Sequence, residues 1–162
     1  MEQPIDQSLK AWIKSLPSSR PVFPESFFDR CKYVFWRAYT PYNSFFRDAT
    51  LWLGIMKHSG RQDFLLGKIA PGQTIQKFVS SLVNQGFANH FFAWEDDGQI
   101  VNLRYVKDFA YQYHIRLFDD GEVRGHYEYT PECHPIQHLK EVGMEARRGD
   151  FLKFLGNRVT LA

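Results

Sequence analysis

Cysteine is scarce in this chain: Cys31 and Cys133 are the two thiols among 162 residues. Two cysteines far apart in sequence make no disulfide framework, and no secretory h-region is evident, so the expectation is free thiols in a reduced, cytosolic compartment. Long apolar runs are missing as well. The longest stretch without Asp, Glu, Lys or Arg, residues 78–94, carries Ser80, Ser81, Asn84, Gln85, Asn89 and His90. That polarity is incompatible with a bilayer span, so no membrane partner is expected. Nor is there an excess of one charge. Lys and Arg number 20 against 18 Asp and Glu, a net charge of +2, which falls short of the basic footprint of a dedicated duplex binder. Phosphate-cradling glycine loops are absent, with Gly60, Gly67 and Gly72 scattered rather than grouped. A serine nucleophile elbow and an H-E-x-x-H pair are absent too. Neither a nucleotide cofactor nor a hydrolase recognisable by motif is indicated.

Aromatic residues, by contrast, are abundant at 17% of the chain, enough for a large aromatic core or for a surface that stacks on a ligand. Most fall at core-periodic positions, which favours the core. The length suits one domain with a full hydrophobic core. Ile5, Leu9, Trp12, Ile13 and Leu16 form one helical stripe ended by Pro17. Phe27, Cys31, Val34, Phe35 and Ala38 repeat that spacing up to Pro41, predicting a second helix with this stripe inward. Residues 50–56 and 64–69 read as a β-hairpin around Ser59 and Gly60. Ile75, Phe78, Val79, Leu82 and Val83 predict a helix capped by Thr74 and stopped at Gly86. Residues 87–129 read as two hairpins turning on Asp96-Asp97-Gly98 and Asp119-Asp120-Gly121, and short helices follow at 135–142 and 151–155. The predicted fold is α+β, an antiparallel sheet of about six strands flanked by N-terminal and C-terminal helices.

Register decides which side chains share a sheet face, since a one-residue slip moves every one of them across. A two-residue loop in the second hairpin would put Tyr113, Ile115 and Leu117 on one face with Arg124, His126 and Glu128. A three-residue loop with Gly121 left-handed pairs Leu117 with Val123, Ile115 with Gly125 and Tyr113 with Tyr127, a wholly apolar or aromatic face. The opposite face then holds Gln112 across from Glu128, His114 across from His126 and Arg116 across from Arg124. The same rule in the first hairpin pairs His90 with Arg104 and adds both to the polar face.

That polar face supports two readings. Strand alternation alone predicts a side turned to water. Against this, Arg116 facing Arg124 is unfavourable unless an anion or an acid lies between, with Glu95, Asp108 or a helix carboxylate as candidates. The leading expectation is a binding domain that presents His90, Arg104, Arg116, Arg124 and Glu128 to an anionic ligand, either nucleic acid or a phosphorylated small molecule. The first alternative is a metal-independent phosphoesterase or ribonuclease-like enzyme. In it His114 and His126 exchange protons and the arginines hold phosphate. A second alternative is a metal site at Cys133, His134 and His138, from the i, i+4 histidine spacing, although Pro135 at the first helical position would leave His134 outside the helix. Lys10, Lys14, Arg30 and Arg37 with Tyr33, Trp36 and Tyr39 would form either a stacking surface for single-stranded nucleic acid or an ordinary solvated helix face.

Overall fold

The computed structural model describes residues 7–54, 64–90, 97–134 and 143–161. The fold is α+β. Helices α1 (Gln7–Lys14), α2 (Phe27–Tyr39) and α3 (Asn43–Trp52) come first, with a 3-10 turn at Thr40–Tyr42 between the last two. Strand β1 (Phe64–Ile69) leads to α4 (Ile75–Val83). The strands β2 (Ala88–Asn89), β3 (Gln99–Val106), β4 (Tyr111–Phe118) and β5 (Glu122–Tyr129) follow, then α5 (Met144–Leu155) and β6 (Val159–Leu161). One antiparallel sheet takes the order β2-β3-β4-β5-β1-β6.

The β4–β5 hairpin has the three-residue-loop register. Leu117 faces Val123, Ile115 faces Gly125, Tyr113 faces Tyr127, and on the other side His114 faces His126. Gly121 adopts φ +81° and its N–H closes the turn on the Phe118 carbonyl at 3.0 Å, a conformation that favours glycine. In the first hairpin the pairing is shifted by two residues. Ala88 faces Arg104, Asn89 faces Leu103, and the His90 N–H reaches the Asn102 carbonyl. A shift of two preserves the faces, so His90 and Arg104 still share the polar side, but His90 lies across from Asn102 rather than Arg104. The partners expected for Ile100 and Asn102 in that pairing, Trp94 and Phe92, lie outside the described residues.

The apolar face carries the core. Val101, Leu103, Tyr113, Ile115, Leu117, Val123 and Tyr127 pack with Phe78, Val79 and Leu82 of α4 and Phe151 and Leu155 of α5, and Trp12, Ile13 and Leu16 add to it. Phe78, Val79 and Leu82 are fully buried, as the α4 stripe predicts, and Thr74 caps the helix through the Lys77 N–H. Each such burial stabilises by about 1.5–3 kcal/mol. Gly125 is a required gap: a Cβ there would meet Phe151 at 2.8 Å and Leu66 at 2.9 Å.

Three sequence expectations are corrected. Residues 50–52 are the end of α3, not a strand, so β1 does not pair as half of a 50–69 hairpin; its neighbours are β5 and β6. Tertiary context overrode the β propensity of Thr50 and Trp52. In α2 the inward side is inverted. Trp36 is buried, whereas Phe27, Val34 and Phe35 are exposed, because Trp36 and Tyr33 pack together, at 5.5 Å between rings. Burial of Trp36 also removes it from the proposed stacking surface.

Candidate functional site

The polar face of the sheet is enclosed rather than solvated. Arg104 is 1% exposed, His114 3% and Gln112 0%, with Asn102, His126 and Glu128 also buried. The chain supplies the cover. After Pro17 it runs beside β2, with a parallel bridge from Ser18 to Asn89 and backbone bonds Asn89 N–H to Pro17 and Ser19 N–H to Asn89. Ser19 then crosses to Arg104. From the other end, the Thr130–Pro131 break turns the chain so that Glu132, itself fully buried, reaches the same guanidinium.

Arg104 is the hub of the layer. Its Nη2 donates to both Glu132 oxygens at 3.0 and 2.8 Å, its Nη1 to Ser19 Oγ at 3.2 Å, and its Nε to Gln112 Oε1. Val22 N–H adds a 3.2 Å bond to Glu132. Burial lowers the guanidinium pKa, and the Glu132 charge opposes that shift. The anion that Arg104 seemed to await from outside is the chain's own Glu132. Likewise Arg124 pairs with Glu122, two residues away on its own strand, at 2.9 Å. Neither Asp108 nor a helix carboxylate fills that role; Asp108 caps the β3–β4 turn through the Ala110 and Tyr111 N–H groups. Glu95 lies outside the described residues.

Next to Arg104 lies a group of three histidines. The His90 and His114 rings are 4.5 Å apart, and those of His114 and His126 are stacked at 4.8 Å. His126 Nε2 lies 3.0 Å from Glu128 Oε2, and His114 Nε2 lies 3.3 Å from Glu128 Oε1. Burial, then the charges of His90, His126, Arg116 and Arg104, push the His114 pKa well below its ordinary value, so its ring is neutral. Its approach to Glu128 is therefore not an ion pair. Arg104 fixes the Gln112 amide with its oxygen toward the guanidinium, so the Gln112 Nε2 protons point to Glu128 Oε1 at 2.6 Å and to His114 Nε2 at 3.0 Å. His114 Nε2 accepts, which puts the ring proton on Nδ1. That Nδ1 has no hydrogen-bond partner, and neither atom of the buried Asn102 amide has one. Asn102 faces Arg116 and lies diagonal to His114 on the same face.

The remaining sequence candidates are placed as follows. His114 and His126, the suggested acid–base pair, are side by side with both Nε2 atoms turned to one carboxylate. Cys133 is buried with Lys32 Nζ 3.8 Å from its sulfur, and His134 packs on Tyr129 at 4.4 Å between rings. His138 lies outside the described residues. Among the described residues, the one group of three ligand-type side chains within reach of a common ion is His114, His126 and Glu128, whose candidate atoms lie within 4.8 Å of one another. Sequence reasoning missed Ser19, Glu132 and Asn102 as members of the layer. The available signal was Arg104 itself, an inward arginine with no acid across from it. Compared with known protein families, curated proteins and solved structures, the chain matches none.

Proposed function

We propose that this chain is a small-ligand-binding domain whose site is the enclosed polar layer between the sheet and the segments 18–22 and 130–132, and that it does not dock nucleic acid on an open sheet. One observation carries this reading: Asn102, 4% exposed, keeps a buried amide with neither donor nor acceptor engaged, diagonal to the unengaged His114 Nδ1. Buried polar groups are almost always hydrogen-bonded, and each one left unmade costs about 1–3 kcal/mol. A small ligand offering both a donor and an acceptor inside the layer would recover that cost. An extended anion gains less here, because Glu132 and Glu122 already neutralise Arg104 and Arg124. An acid–base role for His114 and His126 has weaker support, since both Nε2 atoms are turned to Glu128.

The test follows the Asn102 side-chain amide and the His114 ring by NMR in the intact chain. Sodium phosphate, zinc chloride and a short single-stranded RNA are added in turn. An enclosed small-ligand site responds to phosphate or zinc and stays silent to RNA. Shifts driven by RNA, or silence to all three probes, would overturn the proposal.

A further inference from the structure

We infer that His114, His126 and Glu128 form a binding site for a divalent first-row transition ion of the zinc class, a deepening that rests on the small-ligand reading of the same layer. The register builds the donor set. His126 and Glu128 are two apart on β5 and therefore share a face, and His114 stands directly across from His126 on β4. Two imidazole nitrogens and a carboxylate are the donors found in zinc sites that keep a position open and in non-haem iron sites.

The spacing agrees with an ion at the centre. Bonds of about 2.0–2.1 Å place the corners of a tetrahedral site about 3.3–3.4 Å apart. The two nitrogen–carboxylate separations are 3.3 and 3.0 Å. The electrostatics agree as well. A neutral His114 turns the lone pair of Nε2 toward an acidic oxygen of Glu128, two electron-rich atoms that only the Gln112 amide now separates. A cation between them would convert that repulsion into coordination. The outer layer is also built. Gln112 donates to Glu128 and is itself oriented by Arg104, which Glu132 anchors, so the carboxylate is held in place by a chain of three residues. Nitrogen donors select against magnesium and calcium, which prefer all-oxygen sites.

The experiment strips the full-length protein with a chelator and adds Zn(II) or Co(II), reading stoichiometry by calorimetry and geometry from the cobalt visible bands. One ion per chain is expected, with Zn(II) moving the Nε2 resonances of both His114 and His126 in the wild type. Glu128→Gln and His126→Gln should abolish binding, and Gln112→Leu should weaken it by about 10–100-fold. Cys133→Ala and His134→Ala should leave it unchanged. No ion bound by the wild type, unmoved Nε2 resonances, or binding lost in Cys133→Ala but kept in Glu128→Gln would each overturn the assignment. The wild-type resonances decide the matter even where a variant fails to fold. If phosphate moves Asn102 while zinc moves nothing, the metal assignment fails and the small-ligand reading stands. If zinc moves both imidazoles and no probe moves Asn102, the reverse holds.

Discussion

Removing either end of the Arg104–Glu132 pair should be far more damaging than removing both. The two side chains are 0% exposed and meet through bonds of 2.8 and 3.0 Å. Glu132→Leu leaves a guanidinium buried with no countercharge and also takes the acceptor from Val22 N–H. Breaking a buried pair from one side costs about 3–5 kcal/mol, whereas replacing both partners by apolar groups of similar volume is often near neutral. Arg104→Met strands Glu132 in the same way and additionally releases Gln112 and Ser19, so its cost belongs at the upper end of that range. The double variant Arg104→Met/Glu132→Leu should then be more stable than the sum of the singles by about 2–3 kcal/mol, the scale of coupling within one network. Urea unfolding followed by circular dichroism, at constant slope, measures all four corners of the cycle. Single-variant losses below about 1 kcal/mol, or additivity within about 0.5 kcal/mol, would refute the claim that this pair is the enclosed hub of the layer.

Other outcomes follow from the same structure. Metal-free protein should lose stability as pH falls below about 6.5. His114 faces His90, His126, Arg116, Arg104 and Glu128 and has a folded pKa depressed below that of the unfolded chain, so the unfolded state binds the extra proton. The slope from this group is at most about 1.4 kcal/mol per pH unit, and His114→Gln should flatten the curve measured by urea unfolding across pH 5–8. A thiol reagent should modify the exposed Cys31 in the native protein and reach Cys133 only on unfolding, since burial raises the Cys133 thiol pKa despite Lys32 beside it. Equal labelling rates would contradict that. Gly125→Ala should cost about 1–3 kcal/mol by forcing a Cβ into Phe151 and Leu66. Pairing it with Phe151→Leu should cost less than the sum of the two changes, and a fully additive pair would argue against the contact.

Much of the sheet was legible because its signals are local. Gly121 demanded a left-handed turn, and only one register put all the apolar residues of 113–127 together, so the partners of β4 and β5 follow from sequence. The first hairpin was two residues out of register, an error that leaves every face intact, which is why His90 and Arg104 were still assigned to the right side. Strand β6 was not foreseen, since three residues, Val159–Leu161, are too few for alternation to register. The failure at residues 50–52 and the inverted α2 share a cause: propensity and periodicity cannot say what an aromatic residue packs against. The same limit hid the most consequential feature. Alternation identifies a polar face, but whether water or chain lies above it depends on segments 17–22 and 130–134, which have no periodicity. The residues that close the layer, Ser19 and Glu132, are separated in sequence from the arginine they hold.

Enclosure of the polar layer is tested most directly by the imidazole resonances of the metal-free protein, followed from pH 5 to 8 in the presence of a soluble paramagnetic agent. An enclosed layer predicts that His114 does not titrate in this window, keeps its proton on Nδ1 and is barely broadened by the agent. A midpoint near the ordinary value of about 6.5, together with strong broadening, would place His114 in water and contradict enclosure.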